Sequence, residues 1–364
     1  MPPKMTTMLL ILLASVFAAL HVVSGARSGP QDVGVCYGTF SDNQPSAIEA
    51  VNLAKSVGIR RLRLYGPDHN VLQTLRNTGI EVMLGVPNDQ LQWMSNQNNA
   101  NQWIQEYIKN YPDVNFRYIV VGNGITPVYS PNSQFAQFVL PAMQNIRNAL
   151  SASGLQNKIQ ISTAIDQSEV LRHSFPPSQG EFRPEFRQFI DPIIQFLVKN
   201  NNSPMLVNLH PFFSYLDFKD DIPQIINQNK GGRDARLDYA LLRSSETLVQ
   251  DGQLKYTNAF DAMVDSVHSA MEKAGGNSLD IVVSETGWPT SGAHAATIES
   301  AATYNNNLIK HVQINGTPKR PQDRVETYIY SMFDENKKDQ ENQRHWGIFW
   351  NNKQAKYPIN FPKH

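Results

Sequence analysis

The chain of 364 residues is 41% hydrophobic, enough to fill one large α/β core or two ordinary ones. Lys plus Arg and Asp plus Glu balance at 32 each, which leaves no basic footprint for nucleic acid and no acidic tail. The one cysteine, Cys36, excludes an intrachain disulfide and a cysteine-based metal cluster, and its apolar surroundings make it a small buried hydrophobe.

The first 26 residues hold a single charge, Lys4, then an apolar run from Met8 to Leu20 and the small residues Ser24, Gly25 and Ala26. That shape predicts a secretory signal peptide over residues 1–26, too short to span a membrane, followed by one domain over 27–364. No later stretch approaches about 18 uninterrupted apolar residues, and the last residues carry neither an anchor nor a retention signal, so free secretion without a membrane anchor is expected. Sequons at Asn201 and Asn315 fit that route, although each is followed by proline.

Short apolar runs then alternate with amphipathic ones. Strands are predicted at 33–37, 60–65, 81–86, 116–121, 159–165, 205–209, 281–284 and 328–333, and helices at 45–57, 134–150, 186–199, 257–273 and 295–313. Eight strands separated by helices within this length argue for a single-domain (β/α)8 TIM barrel. The rival is an open doubly wound sheet, which usually carries a Gly-rich phosphate loop after its first strand; Gly34-Val-Cys-Tyr-Gly38 lacks that spacing. Segments 174–184 and 218–237 follow strands five and six, where barrels place active-site loops, and are expected to wall a groove. The Asn/Gln-rich run 90–102, interleaved with Leu91, Trp93 and Met94, reads as a solvated helix and loop.

The chemistry centres on residues 280–292. Ile281, Val282 and Val283 form a buried strand that stops at a carboxylate, Glu285; Gly287 and Pro289 end regular structure, and Trp288 puts a flat apolar ring beside the acid. A rigidly held carboxylate next to an aromatic platform suits sugar chemistry, whereas the plainer alternative is a strand-end glutamate satisfied by a turn. In a barrel, Tyr37, Tyr65, Pro87, Asn123 with Gly124, Asp166, His210, Glu285 and Asp334 with Glu335 would all open onto one face. All but Pro87 bring a polar or aromatic group.

These features resemble the plant endo-1,3-β-glucanases, glycoside hydrolase family 17. The resemblance rests on Gly34-Val-Cys-Tyr-Gly38, on Gly58-Ile-Arg-Arg-Leu-Arg-Leu-Tyr65 and above all on Ser284-Glu-Thr-Gly-Trp-Pro289. It extends through Gly316-Thr-Pro-Lys-Arg-Pro321, Met332-Phe-Asp-Glu-Asn336 and Tyr357-Pro-Ile-Asn-Phe361. It implies a barrel whose groove binds a β-1,3-glucan, a retaining double displacement with Glu285 as nucleophile, no metal and no cofactor. It also implies a plant cell-wall or pathogen-response setting and a monomer. Tyr37, Tyr65, Asn123 and Trp288, with Phe213 and Tyr215 as further candidates, match groove-lining positions; each aromatic has core packing as its alternative. His210 is grouped with them, as are Glu335 and Lys338, whose alternative is a structural ion pair.

One departure matters most. The family's partner acid ends strand four in Val-Gly-Asn-Glu, and here the motif is Val121-Gly122-Asn123-Gly124. Glycine cannot move a proton, so hydrolysis is expected to be impaired. His210, standing where the family has tyrosine, could hold a proton beside Glu285 or merely orient it, and Glu181 and Glu185 are further substitutes whose alternative is solvated surface charge. Beyond strand eight, the family's Glu is replaced in Gln343-Arg-His-Trp-Gly347. The competing functional readings are a glucan hydrolase with reduced turnover, a non-catalytic glucan-binding protein of lectin type, and an interaction role for the barrel exterior.

Overall fold

The computed structural model describes residues 33–216 and 234–362. Eight parallel strands close into a barrel: β1 (Gly34–Tyr37), β2 (Arg61–Leu64), β3 (Glu81–Val86), β4 (Asn115–Asn123), β5 (Gln160–Asp166), β6 (Met205–Asn208), β7 (Ile281–Thr286) and β8 (Glu326–Ile329). Each pairs with its neighbours in sequence, and β1 closes against β8. Helices follow the strands and cover the outside, as parallel strands require when both faces are buried.

Alternation along each strand sorts the core into two parts. Cys36, Met83, Tyr118, Val120, Ala164, Leu206, Val282 and Tyr328 pack inside the barrel, while Leu62, Leu64, Ile119, Val121, Ile165, Val207, Ile281 and Val283 pack outward with the helices. Strand β2 gives the interior two arginines, Arg61 and Arg63, in place of apolar residues. The Cys36 thiol is buried as expected, pushed up to about 12 by that burial.

The helix bounds differ from expectation at their starts. Ala47–Ser56, Ala259–Lys273 and Ile298–Ile314 begin only after Ser46, Asn258 and Thr297, whose side chains accept hydrogen bonds from first-turn backbone N–H groups and so stand outside the helix as caps. The last strand is a larger correction. The apolar run predicted a strand over 328–333, but β8 begins at Glu326, because Glu326 is drawn inside the barrel by arginines and tyrosines that pattern reading passes over. After Ile329 the chain leaves the regular ladder, with Tyr330 N–H bonded to Thr286 and Met332 N–H to Cys36.

Segment 174–184 forms a short hairpin arm, with Leu171–His173 paired to Glu181–Phe182. Of the segment 218–237, residues 218–233 lie outside the described residues, as do the proposed signal peptide and residues 363–364. The run 90–102 forms the helix Leu91–Met94 and most of Gln97–Ile104, with Leu91 and Met94 buried and Trp93 exposed. Among the described residues, no helix is long and apolar enough to cross a membrane.

Candidate active site

Glu285 sits at the C-terminal end of β7, 8% exposed, facing a cleft of about 380 Å³. Simple alternation would have sent it elsewhere: Val283 packs outward, so two residues on the side chain should also point toward the helices. The register between β6 and β7 shifts between Val283 and Glu285, and that irregularity turns the carboxylate into the barrel mouth. The same device works on β4, whose ladder with β5 shifts between Val120 and Asn123 and brings Asn123 inward.

Arg63 spans the barrel to hold these groups. Its Nη1 lies 2.9 Å from Glu285 Oε1 and donates to the Ser284 carbonyl at 2.9 Å and to Asn208 Oδ1 at 3.0 Å, while Nη2 donates to Asn123 Oδ1 at 2.8 Å. Asn123 Nδ2 donates to Glu285 Oε1 at 3.4 Å, and Asn208 Nδ2 donates to Asn123 Oδ1 at 2.8 Å. Every described bond to the Glu285 carboxylate therefore falls on Oε1. Among the described residues Oε2 accepts none and is left to the cleft.

Gly124 follows Asn123 directly, so the position of the expected acid lies at the same mouth as Glu285. Its φ is +58°, and a Cβ added there would meet nothing within 4 Å. The space for a side chain is open, and the backbone conformation itself costs a non-glycine residue about 1–2 kcal/mol.

The remaining cleft wall comes from Asp166, Gln167, Ser168 and Glu169 after β5, from His210 and Phe213 after β6, and from Tyr330, Lys338, Gln343 and Trp346 after β8. His210 is wedged edge-on against Phe213 and Trp346, with ring centroids 5.7 and 5.3 Å away. Burial lowers its pKa to about 4, outweighing the opposite pull of Glu285. Of the two roles read for it from sequence, holding a proton at neutral pH beside the carboxylate is disfavoured: desolvation of the imidazolium wins, and Arg63 adds to it. Nor does it orient Glu285, whose partners are Arg63 and Asn123.

Asp166 shows the complementary effect. Burial pushes its pKa up to about 6, a bond from Ser168 opposes this, and the charges of Glu285 and Glu169 add to the rise.

Several expected sugar contacts are repositioned. Trp288 has no exposed surface; its Nε1 donates to the Ala295 carbonyl at 2.9 Å and its ring packs against Phe212 and Tyr304. It supports the cleft from beneath and presents no face to a sugar. Tyr37 is also buried, edge-on to Phe333, and Tyr215 is buried with its hydroxyl donating to Asp234 at 2.7 Å. Tyr65 is half-buried under the Arg63 guanidinium, 4.8 Å from its ring centroid. Of the aromatics singled out from sequence, Phe213 alone lines the cleft.

Glu335 is buried beside the cleft, accepting from the Phe40 backbone N–H at 3.0 Å and from the Tyr330 hydroxyl, with Lys338 Nζ 3.8 Å away. A Cβ on Gly38 would lie 2.4 Å from its carboxylate, so a larger residue there would displace Glu335 from this position. Glu335 thus positions Tyr330 and Lys338, and of this ion pair Lys338 reaches the cleft. Glu181 and Glu185 do not line the cleft; Glu181 lies in the hairpin arm and Glu185 is exposed in the turn after it.

Sequence reasoning missed Arg63, Asn208, Tyr330 and Trp346 as site residues. For Arg63 a signal existed: Arg61-Leu-Arg-Leu64 alternates charge with apolar residues, which on a barrel strand sends the charges inside. Trp346, in a loop far along the chain, had no comparable mark. Among the described residues, no cluster of three His, Cys, Asp or Glu side chains is placed to hold a metal ion.

Comparison with known proteins agrees with this geometry. The chain is 45% identical over 359 residues to a probable glucan endo-1,3-beta-glucosidase of Arabidopsis thaliana, covering 98% of this chain and 97% of the relative. It is 44% identical over 361 residues to the basic vacuolar isoform of the same enzyme from Nicotiana plumbaginifolia, covering 99% and 93%. The solved structure of a beta-1,3-glucanase and allergen of Cryptomeria japonica pollen superposes with a TM-score of 0.84 at 42% identity, covering 92% of this chain and all of that one. The model of the family described as glycosyl hydrolases family 17 matches residues 33–361, and the chain belongs to that family.

Proposed function

We propose that this protein acts on β-1,3-glucans by a retaining route in which Glu285 Oε2 attacks the anomeric carbon, and that turnover is slow because Gly124 leaves the proton-transfer position empty. The observation that carries this reading is the division of labour on Glu285. Arg63 and Asn123 fix Oε1, while Oε2 takes no bond among the described residues, and Glu285 lines the cleft. Attack by Oε2 forms a C1–O bond as the glycosidic C1–O bond breaks, and water later releases the sugar. With a natural glucan the departing oxygen needs a proton, and full loss of that transfer would cost about 10²–10⁴ in rate, so the missing donor at position 124 lowers turnover by an amount within that range. The substrate class is carried over from relatives named as glucan endo-1,3-beta-glucosidases. Secretion after removal of residues 1–26, and a monomeric state, are parts of the same proposal.

The test uses an aryl β-glucoside or oligoglucoside with a good leaving group, which departs unprotonated. A burst of about one aryl alcohol per protein is expected. Azide should then accelerate release, since it attacks without a base, and Glu285→Gln should abolish the burst. Laminarin should be cleaved slowly, and Gly124→Glu should raise that rate by roughly 10²-fold or more. A burst that survives Glu285→Gln would overturn the reading. The vacancy at Gly124 also supports a second reading, a glucan-binding protein without turnover. Glucan affinity without any burst, unchanged by Gly124→Glu, would favour it.

A further inference from the structure

Resting on the Glu285 reading, we infer that Asp166 is the proton-transfer residue of this protein, acting from β5 in place of a side chain at position 124. Three observations place it. Along the sheet, Asp166 pairs in register with Asn208, and Asn208 with Glu285, so the two acids stand on strands flanking β6. Strands lie about 4.8 Å apart, so the two backbones are roughly 10 Å apart, a gap across which an Asp and a Glu leaning together can flank one glycosidic bond. Gly124 N–H is bonded to the Ala164 carbonyl on the same β5, so Asp166 lies on the strand between the vacant position and the nucleophile.

Asp166 also points the right way and has a free oxygen. Ala164 packs inside the barrel, and regular alternation turns Asp166 inward as well, into the cleft it shares with Glu285. Its bonds all fall on Oδ1, from Ser168 N–H at 3.3 Å and from the Ser168 hydroxyl at 3.1 Å; among the described residues Oδ2 takes none. The other titratable groups of the cleft serve less well. His210 is neutral, Glu169 is exposed, and Tyr330 donates to Glu335.

The protonated form of Asp166 persists to about pH 6, because burial and the charges of Glu285 and Glu169 disfavour its anion. In the first step its proton passes to the glycosidic oxygen as that oxygen leaves C1 and Glu285 Oε2 bonds to C1. In the second, the Asp166 carboxylate takes a proton from water as the water oxygen bonds to C1 and the C1–Oε2 bond breaks. Both acids return to their starting states.

The experiment is a two-by-two set with the full-length protein: wild type, Asp166→Asn, Gly124→Glu and the double variant, each assayed for laminarin cleavage and for aryl burst. Asparagine keeps the oxygen that accepts from Ser168, so the cap on Gln167–Val170 survives. In the wild-type background Asp166→Asn should lower laminarin turnover by about 10²-fold, with the burst retained. The decline of wild-type turnover as pH rises through the Asp166 titration should vanish in the variant; Glu285, Glu169, His210 and Lys338 are the other ionisable groups lining that cleft. In the Gly124→Glu background the same substitution should cost little, because the restored glutamate carries the proton. A loss equal in both backgrounds would mark Asp166 as merely structural and overturn the inference. So would a wild type that shows the burst while Asp166→Asn changes nothing, or that cleaves no laminarin at all. A wild type without a burst would remove the Glu285 reading, and this inference with it.

Discussion

At the N-terminal end of the barrel Arg61 and Arg117 meet Glu81 and Glu326; at the C-terminal end Arg63 meets Glu285. At the lower end both oxygens of Glu326 are engaged. Tyr328 donates to Oε1 at 3.2 Å, while Arg117 Nη2 and the Tyr118 hydroxyl donate to Oε2 at 2.9 and 3.1 Å. The cavity there is about 90 Å³, against about 380 Å³ above. The upper pair loads one oxygen of Glu285 and leaves the other to the cleft. The same two residue types thus make a clamp where both carboxylate oxygens are engaged, and, in the proposed reading, a nucleophile where one oxygen is withheld. What separates them is the number of donors, two arginines and two tyrosines on Glu326 against one arginine and one asparagine on Glu285, and the open cleft beside Glu285.

Substitutions at the two ends should separate these roles. Arg63→Lys replaces a planar fork by a single point of charge that cannot serve Glu285, Asn123, Asn208 and the Ser284 carbonyl together, so aryl loading should fall by roughly 10²-fold or more. Stopped-flow measurement of the burst checks it, and an unchanged burst would break the contrast. Glu326→Gln at the lower end should leave the burst rate per folded molecule unaltered. Its cost appears in stability, about 1–3 kcal/mol by denaturant titration, because the half-buried Arg61 and Arg117 keep Glu81 but lose their second counter-charge. A catalytic defect without a stability loss would show that the two ends are coupled.

Smaller effects sharpen the picture. Phe213→Ala removes the aromatic face that reaches the cleft and should weaken oligoglucan binding by about 1 kcal/mol, read as a roughly fivefold rise in KM with the burst amplitude retained. Trp288→Phe, by contrast, should act on stability, since that ring touches only protein.

The smallest effect concerns pH. His210 above and His268, which lines the lower cavity, have pKa values lowered to about 4 and about 3 by burial. The unfolded chain binds protons at these sites first, so the stability they allow is lost as pH falls below about 6.5. Asp166 and Asp265, raised to about 6 by burial, bind protons first in the folded state and act in the opposite sense, gaining stability as pH falls through 6. The two trends oppose each other, so wild-type denaturation midpoints at pH 7 and pH 5 should differ little. His268→Gln should tip the balance, making the fold more resistant at pH 5 relative to wild type than at pH 7.

Much of this molecule was legible in the chain. Buried strands such as Ile281–Thr286 declare themselves by β-branched runs, because propensity acts over a few residues; the helix starts are less legible, since the caps Ser46, Asn258 and Thr297 fall inside the predicted ranges. The strand-end motif containing Glu285, and the glycine at 124, could be singled out for the same reason: both stand in short local patterns.

What the sequence determined by itself was therefore the eightfold succession of strands and helices, and the residues brought to the barrel mouth. Only the tertiary structure decided which of those residues face the cleft. Alternation alone turns Glu285 and Asn123 away from the mouth, and register shifts against neighbouring strands turn them back. Trp288 follows the acid in sequence yet is roofed by Phe212 and Tyr304, which are distant in the chain. His210 neighbours a carboxylate yet stays neutral, because desolvation depends on the packing of Phe213 and Trp346 around it. Side-chain direction, cover and solvation arise from contacts between remote segments, and a linear pattern carries no record of them.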